Sequence, residues 1–259
     1  MLRKLSKEQI TEDRHLHDMW CRNEPGGKRI DWSEADLTNT DLTNANLYGA
    51  DLYKVNLTSA NLTNANLHGA DLTKANLAGA DLTKANLTDA DLTGAYLVGA
   101  DLTKANLAGA DLPGAYLINT NLYGANLDGA NLICANLAEA NLTGANLTRA
   151  NLICANLAEA NLTDASLTDA NLHGADLTDA DLTNAINFSP FVYIGPIGSR
   201  LGYTTINLVK DEIMCGCFVG TLKEFERQVK KNHSKNPLYL AEYTAVIALA
   251  HALRNARRK

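Results

Sequence analysis

The sequence predicts a mainly β solenoid: a rod of stacked turns, closed at its start by a short helix and followed by a small α+β region. Three observations carry this expectation. Leucine recurs at every fifth position from Leu37 to Leu182, thirty times without a skip. Aromatic residues make up only 6% of the 259 residues, too few for the mixed core of an ordinary domain this size. The composition also changes abruptly at both ends of the leucine tract, dividing the chain into 1–30, 31–187 and 188–259.

In the first segment, residues 6–22 read as a helix, with Ser6 as N-cap and Ile10, Leu16 and Trp20 among its apolar positions. Pro25-Gly26-Gly27 ends it. Trp32 stands where a degenerate first unit would carry leucine, placed to meet that helix. Such a lid is needed because the open end of a solenoid leaves apolar interior and unpaired backbone facing water.

Within the tract, alanine precedes each leucine by two residues in 27 of 30 cases, the exceptions being Thr40, Val55 and Thr120. Asn or Asp immediately precedes it in 27 of 30, the exceptions being Tyr96, Tyr116 and Ser166. A five-residue period excludes both regular structures. On an α-helix it advances ~500°, so the leucines spiral and form no stripe. On a straight strand it sends successive leucines to opposite faces. A chain that bends once per unit escapes the conflict: Ala and Leu point inward, Asp/Asn points out, and the last two residues make the corner.

Ala-(Asp/Asn)-Leu-x-x in tandem resembles the pentapeptide-repeat proteins, over residues 31–185. The resemblance implies a right-handed quadrilateral β-helix with four units per coil. Thirty units then make about 7.5 coils, a rod roughly 36 Å long at ~4.8 Å per stacked strand. The stretch HLHDMWCRNEPGGKRIDWSEADL (15–37) is similar to the lead-in of a bacterial and phage group of these proteins.

After Ala185 the frame breaks. Val192–Ile194, Tyr203–Val209 and Glu212–Val219 read as strands, with Lys210-Asp211 as a hairpin turn. Thr221-x-x-Glu224 is a capping box opening a helix with Leu222, Phe225 and Val229 on one face. A second helix follows Asn236-Pro237, carrying Leu240, Tyr243, Ile247 and Ala250. Gly198-Ser199-Arg200, Cys215-Gly216-Cys217-Phe218 and Gly220-Thr221-Leu222 resemble a small domain of phage and prophage proteins, a likeness that carries no chemistry.

No nucleophile–base pattern, phosphate-binding glycine loop or metal-ligand run appears, so no catalytic residue, cofactor or metal is expected. Cys215, Cys217 and His233 are the nearest approach to a zinc set, but two cysteines one residue apart on a strand are awkward tetrahedral ligands. His15 and His17 read as packing and surface residues. Cys134 and Cys154 lie in identical stretches, 131–142 and 151–162, and read as outward free thiols. Five cysteines in no staple-like framework, no apolar run of ~18 residues and no leader-like start give the expectation of a cytoplasmic chain that binds no membrane.

Charge is the stronger signal. Residues 31–187 carry 5 basic and 19 acidic side chains, against 7 and 5 in 1–30 and 11 and 5 in 188–259. With four units per coil, Asp51, Asp71, Asp91 and Asp111 form one outward column. Asp41, Asp81 and Asp101, with Asp181, belong to the opposite one, interrupted by Asn61, Asn121, Asn141 and Asn161. Duplex DNA shows one charge per ~1.7 Å, hence ~21 phosphates over a rod of this length. The similar density makes the acidic columns candidate binding residues, through which the rod imitates duplex DNA and binds no nucleic acid itself. The resemblance implies the same, since gyrase inhibitors and topoisomerase-protecting members of the family are understood as DNA mimics. An uninterrupted, loop-free tract leans toward the gyrase-inhibitor type. The plain alternative is that the charge only keeps a leucine rod soluble.

A second candidate surface is apolar. Tyr96 and Tyr116 replace Asp/Asn twenty positions apart, and Val98 and Ile118 follow on the same side. The expected function is a non-enzymatic binding protein that occludes a DNA-binding partner: gyrase, another topoisomerase or a nucleic-acid-binding defence protein. The alternative is a scaffold whose C-terminal region holds the partner, with an enzyme in that region a third reading. A homodimer agrees with all of them.

Overall fold

The computed structural model describes residues 2–186, 191–197, 202–207, 212–215 and 218–233, and of the last stretch residues 243, 244, 246–248, 250 and 251. In the tract every repeat leucine and every repeat alanine but Ala180 is buried, Ala105 and Leu107 completely, and the residue between them faces outward. The two residues after each leucine form a turn closed by the next alanine, as in Ala65 N–H to Leu62 O, 2.9 Å. The second turn residue has a positive φ in every unit from Glu34 to Asn184, 53° to 68°. Gly, Asn and Asp fill most of those places because they tolerate the left-handed region best.

Each outward residue bridges, in parallel, its counterpart twenty positions on, so four units make one coil. Three N–H groups per unit bond a neighbouring coil: Leu62 to Asp81 O at 2.7 Å, Asn64 to Thr83 O at 2.9 Å and Asn61 to Thr40 O at 3.0 Å. The turn bond uses a fourth. The fifth, on the first turn residue, finds no carbonyl and is accepted by the Asp/Asn side chain two residues earlier, as Thr63 N–H by Asn61 Oδ1 at 3.0 Å. This bond recurs along the rod from Ser33 to Thr183. It is missing after Tyr96, Tyr116 and Ser166, which have no such acceptor, and at Pro113, which has no N–H. Asp or Asn is therefore selected here because an unpaired backbone donor in a crowded coil is costly.

The base of the rod is closed by β1 (Arg3–Lys4), α1 (Lys7–Cys21) and β2 (Ala35–Asp36). Strand β1 pairs in parallel with β2, adding one rung below the first coil. Ser6 caps α1, its hydroxyl accepting from Gln9 N–H at 3.2 Å. Trp32 is wholly buried and its Nε1–H donates to Asp13 Oδ2 of the helix at 2.8 Å. His17 is buried, its Nδ1 accepting from Ile30 N–H at 3.0 Å, and burial lowers its pKa. His15 is exposed. Trp20 packs between His17 and Tyr48, with centroids 5.3 and 6.4 Å away.

The C-terminal segment forms an antiparallel sheet in the order β3 (Phe191–Ile197), β4 (Gly202–Asn207), β5 (Glu212–Cys215), β6 (Phe218–Thr221). Here the structure corrects the sequence reading. The single strand expected over Glu212–Val219 is a hairpin, with Cys215 opposite Phe218. Glycine inside a strand pattern is the sequence signal for such a break, and the run contains Gly216, which itself lies outside the described residues. The capping box is present: Glu224 accepts from Thr221 N–H at 2.9 Å and its own N–H bonds Thr221 Oγ1 at 3.3 Å. It opens α2 (Leu222–His233), which buries Leu222, Phe225 and Val229. Residues 243, 244, 246–248, 250 and 251 are helical, with Tyr243, Val246 and Ala250 buried. Lys210-Asp211, Cys217 and Leu240 lie outside the described residues.

Candidate functional site

Backbone register places the acidic residues in vertical files. Asp51, Asp71, Asp91 and Asp111 are bridged in succession, and Asp31 stands below Asp51, so five consecutive coils carry a carboxylate on one side. Sequence reasoning missed Asp31 because its unit has Trp32 in place of leucine; the twenty-residue spacing would have found it. The next three coils carry Asn131, Asn151 and Asn171. On the opposite side the file runs Asp41, Asn61, Asp81, Asp101, Asn121, Asn141, Asn161, Asp181.

Four of these carboxylates, Asp31, Asp41, Asp81 and Asp181, are shifted toward the ionised form by the turns they serve. The Ser33 hydroxyl and N–H keep Asp31 below the ordinary carboxylate range, and Thr43 and Thr183 do the same for Asp41 and Asp181. For Asp81, partial burial pushes upward, but the Thr83 hydroxyl and N–H and the Thr63 hydroxyl bring it down overall. Among the described residues no cation lies within ion-pair distance of either file: Lys54 pairs with Glu34 at 3.4 Å and Arg149 with Asp128.

Several of the asparagines tie the coils together, Asn121, Asn131 and Asn141 in these two files. Asn131 Nδ2 donates to Asp111 Oδ1 at 3.0 Å and Asn66 Nδ2 to Asn46 Oδ1 at 3.1 Å. A stack of aspartates forgoes that bond and sets like charges ~4.8 Å apart.

The apolar cluster is brought together as the spacing implied. Tyr96 and Tyr116 stack, centroids 4.6 Å apart and planes 10° from parallel, with 47% and 40% of each residue exposed. Val98 is exposed and Ile118 half-buried, on the next turn of the same side. Pro113, Ile133 and Ile153 line the other edge, and Ala138 and Ala158 continue the file above Ile118; all five are half-buried. Sorting the turn residues, as well as the Asp/Asn position, by twenties would have disclosed them.

The pentapeptide-repeats family model matches residues 29–58, 50–89, 60–97, 95–132, 130–169 and 145–184, more than half of the chain. The chain belongs to the pentapeptide repeat family. Members of this family fold as right-handed β-helices, and the twenty-residue register is the four-sided form of that fold. A comparison with curated proteins finds no match.

Among solved structures, the rod is similar to HetL, a pentapeptide repeat protein involved in heterocyst differentiation regulation in the cyanobacterium Nostoc sp. strain PCC 7120. Identity is 37% over 62% of this chain and 79% of that one, with a TM-score of 0.34. QnrB1, a plasmid-mediated fluoroquinolone resistance protein, is 22% identical over 60% of this chain and 79% of its own, TM-score 0.31. A pentapeptide repeat protein of the Arabidopsis thaliana thylakoid lumen is 35% identical over 40% and 66%, TM-score 0.23.

Other side chains on this pentapeptide repeat rod offer less. Cys134 and Cys154 are free and exposed, stacked on one corner by the register of their coils. Among the described residues no three His, Cys, Asp or Glu side chains are grouped to hold a metal ion. Cys215 ends β5, and Cys217 lies outside the described residues. No described helix is long and apolar enough to cross a membrane.

Proposed function

We propose that the chain is a non-enzymatic binding protein whose acidic rod occupies a duplex-DNA-binding surface on another protein, of the gyrase or topoisomerase kind. One observation carries this reading: five aspartates, Asp31 to Asp111, stacked on consecutive coils, of which only Asp31 has basic side chains beside it, Arg3 and Arg29, and none of which is ion-paired among the described residues. The turn bond asks only for an acceptor oxygen, which asparagine supplies equally well. Asparagine can also add a coil-to-coil bond, as Asn131 does to Asp111. The choice of aspartate in five successive coils therefore runs against stability, and a basic partner surface supplies a reason for it. Tyr96, Val98, Tyr116 and Ile118 then provide the desolvated anchors that bulk charge lacks.

A second reading has its own support. Because Asp and Asn are structural at this position, an acidic rod can also be a spacer, with the partner held by the C-terminal segment. Supercoiling and gel-shift assays with a topoisomerase separate the two. Replacing Asp51, Asp71, Asp91 and Asp111 by Asn keeps every turn bond, so the variant should melt no lower than the parent. Under mimicry it loses inhibition, and the parent's inhibition weakens steeply with salt. Inhibition kept by that variant, or salt-independent, overturns mimicry and favours the scaffold.

A further inference from the structure

Helix α2 carries a second charged array, of opposite sign. Its buried side is Leu222, Phe225 and Val229. On the other side Lys223, Arg227, Lys230 and Lys231 are all exposed, and helical geometry confines them to an arc of about 100° facing away from the buried stripe. The helix's own carboxylates are engaged elsewhere: Glu224 accepts from the Thr221 N–H and hydroxyl, both at 2.9 Å, and Glu226 pairs with His251. None of the four cations forms an ion pair with a described residue. Residues 188–259 as a whole carry 11 basic and 5 acidic side chains.

We propose that this basic face docks on Asp51, Asp71, Asp91 and Asp111 of a second copy of the chain, and reciprocally, so that two copies close into a dimer. The two arrays match in length as well as sign. Lys223 to Lys231 spans about 12 Å of helix, and Asp51 to Asp111 spans three coil steps, about 14 Å. Among the described residues neither Asp51, Asp71, Asp91 and Asp111 nor the four cations form an ion pair, and both arrays belong to the same molecule. A nucleic acid would satisfy the cations too, but it must approach a chain of net charge −6 whose rod repels it. A single exposed ion pair holds little. Two sets of four, closed by a two-fold axis, act together and leave no open end to propagate. Self-association of this kind covers the column, so it competes with any basic target. The inference needs the carboxylates and not their reading as a duplex mimic, and its test contains no partner protein.

Sedimentation velocity on the full chain at ionic strengths of about 0.01 M and about 1 M, where the screening length falls from about 30 to about 3 Å, is the direct experiment. A dimer is expected at low salt and a monomer at high salt. K223E/R227E/K230E, and separately D51N/D71N/D91N/D111N, should each weaken self-association at least ~10-fold while melting no lower than the parent. Mixing the two variants should restore part of it, since the intact helix of one meets the intact column of the other. A parent that stays monomeric at low salt, a dimer indifferent to either set of substitutions, or a mixture no more associated than its components overturns the proposal. So does binding of a short labelled DNA duplex by a monomeric parent and not by K223E/R227E/K230E, which assigns the face to nucleic acid instead.

Discussion

Tyr96 stacks on Tyr116 one coil above it, and neither ring can accept the N–H two residues on that Asp or Asn accepts along most of the rod. The N–H groups of Val98 and Ile118 therefore lack that side-chain acceptor, on the side where four apolar side chains gather. Tyr96→Asn with Tyr116→Asn restores two turn bonds, each worth about 0.5–1.5 kcal/mol, and gives up a stacked aromatic pair of similar worth. The melting temperature is therefore expected to stay within a few degrees of the parent. Partner affinity should fall by about 2 kcal/mol or more, as for the loss of interface aromatics. A calorimetric titration showing unchanged affinity removes the patch from the binding surface.

Leu107 lies in mid-rod with no exposed surface, in the stack of leucines that runs the length of the coils. Leu107→Asp sets a charge there with no counter-ion. A loss of about 4 kcal/mol or more is expected, read by chemical denaturation. Retention of parental stability is incompatible with the stacked core.

Gly27 tests the lid. A Cβ at this position would stand 2.3 Å from Trp20 N and 2.6 Å from Met19 C, both backbone atoms that cannot turn aside. Gly27→Ala should push the segment after α1 away from the helix and loosen the contacts of His17 with Ile30 and of Trp32 with Asp13. Trp20 and Trp32 are the chain's two tryptophans, so their fluorescence should shift toward the solvent-exposed value.

Acid should weaken the rod in a definite window. Asp31, Asp36, Asp41 and Asp181 have folded pKa values below the ordinary 3.8, chiefly through the hydroxyls of Ser33, Thr38, Thr43 and Thr183. A carboxylate depressed in the folded state contributes stability that is complete above its unfolded pKa and disappears as pH falls through the folded value. The melting temperature should therefore be insensitive to these groups down to about pH 4 and fall below it. Thr43→Val with Thr183→Val should flatten that fall; an unchanged acid slope refutes the assignment to these hydroxyl bonds.

Much of this was legible in the residues. A five-residue leucine period has one geometric solution, a bend per unit, because helix and strand both scatter the leucines. The lid was readable from Ser6 and Trp32, and α2 from Thr221 and Glu224, since caps are local chemistry. Four units per coil came from family likeness, and the bridges between residues twenty apart bear it out.

Other features required the coils to be stacked. The Asp/Asn position looked merely outward-facing in sequence; only the assembled ladder shows that four N–H groups per unit are used by backbone carbonyls and the fifth needs this side chain. Asp31, Pro113, Ile133 and Ile153 join their surfaces through twenty-residue neighbours rather than chain neighbours, so no local window contains them. The Glu212–Val219 run looked like one strand because alternation alone does not mark where a strand folds back, and cross-strand pairing placed Cys215 against Phe218. The sequence by itself determined what must be buried, since five-residue periodicity is a property of one chain segment. Which surface residues meet was decided by the tertiary structure, because stacking brings together groups that are twenty positions apart.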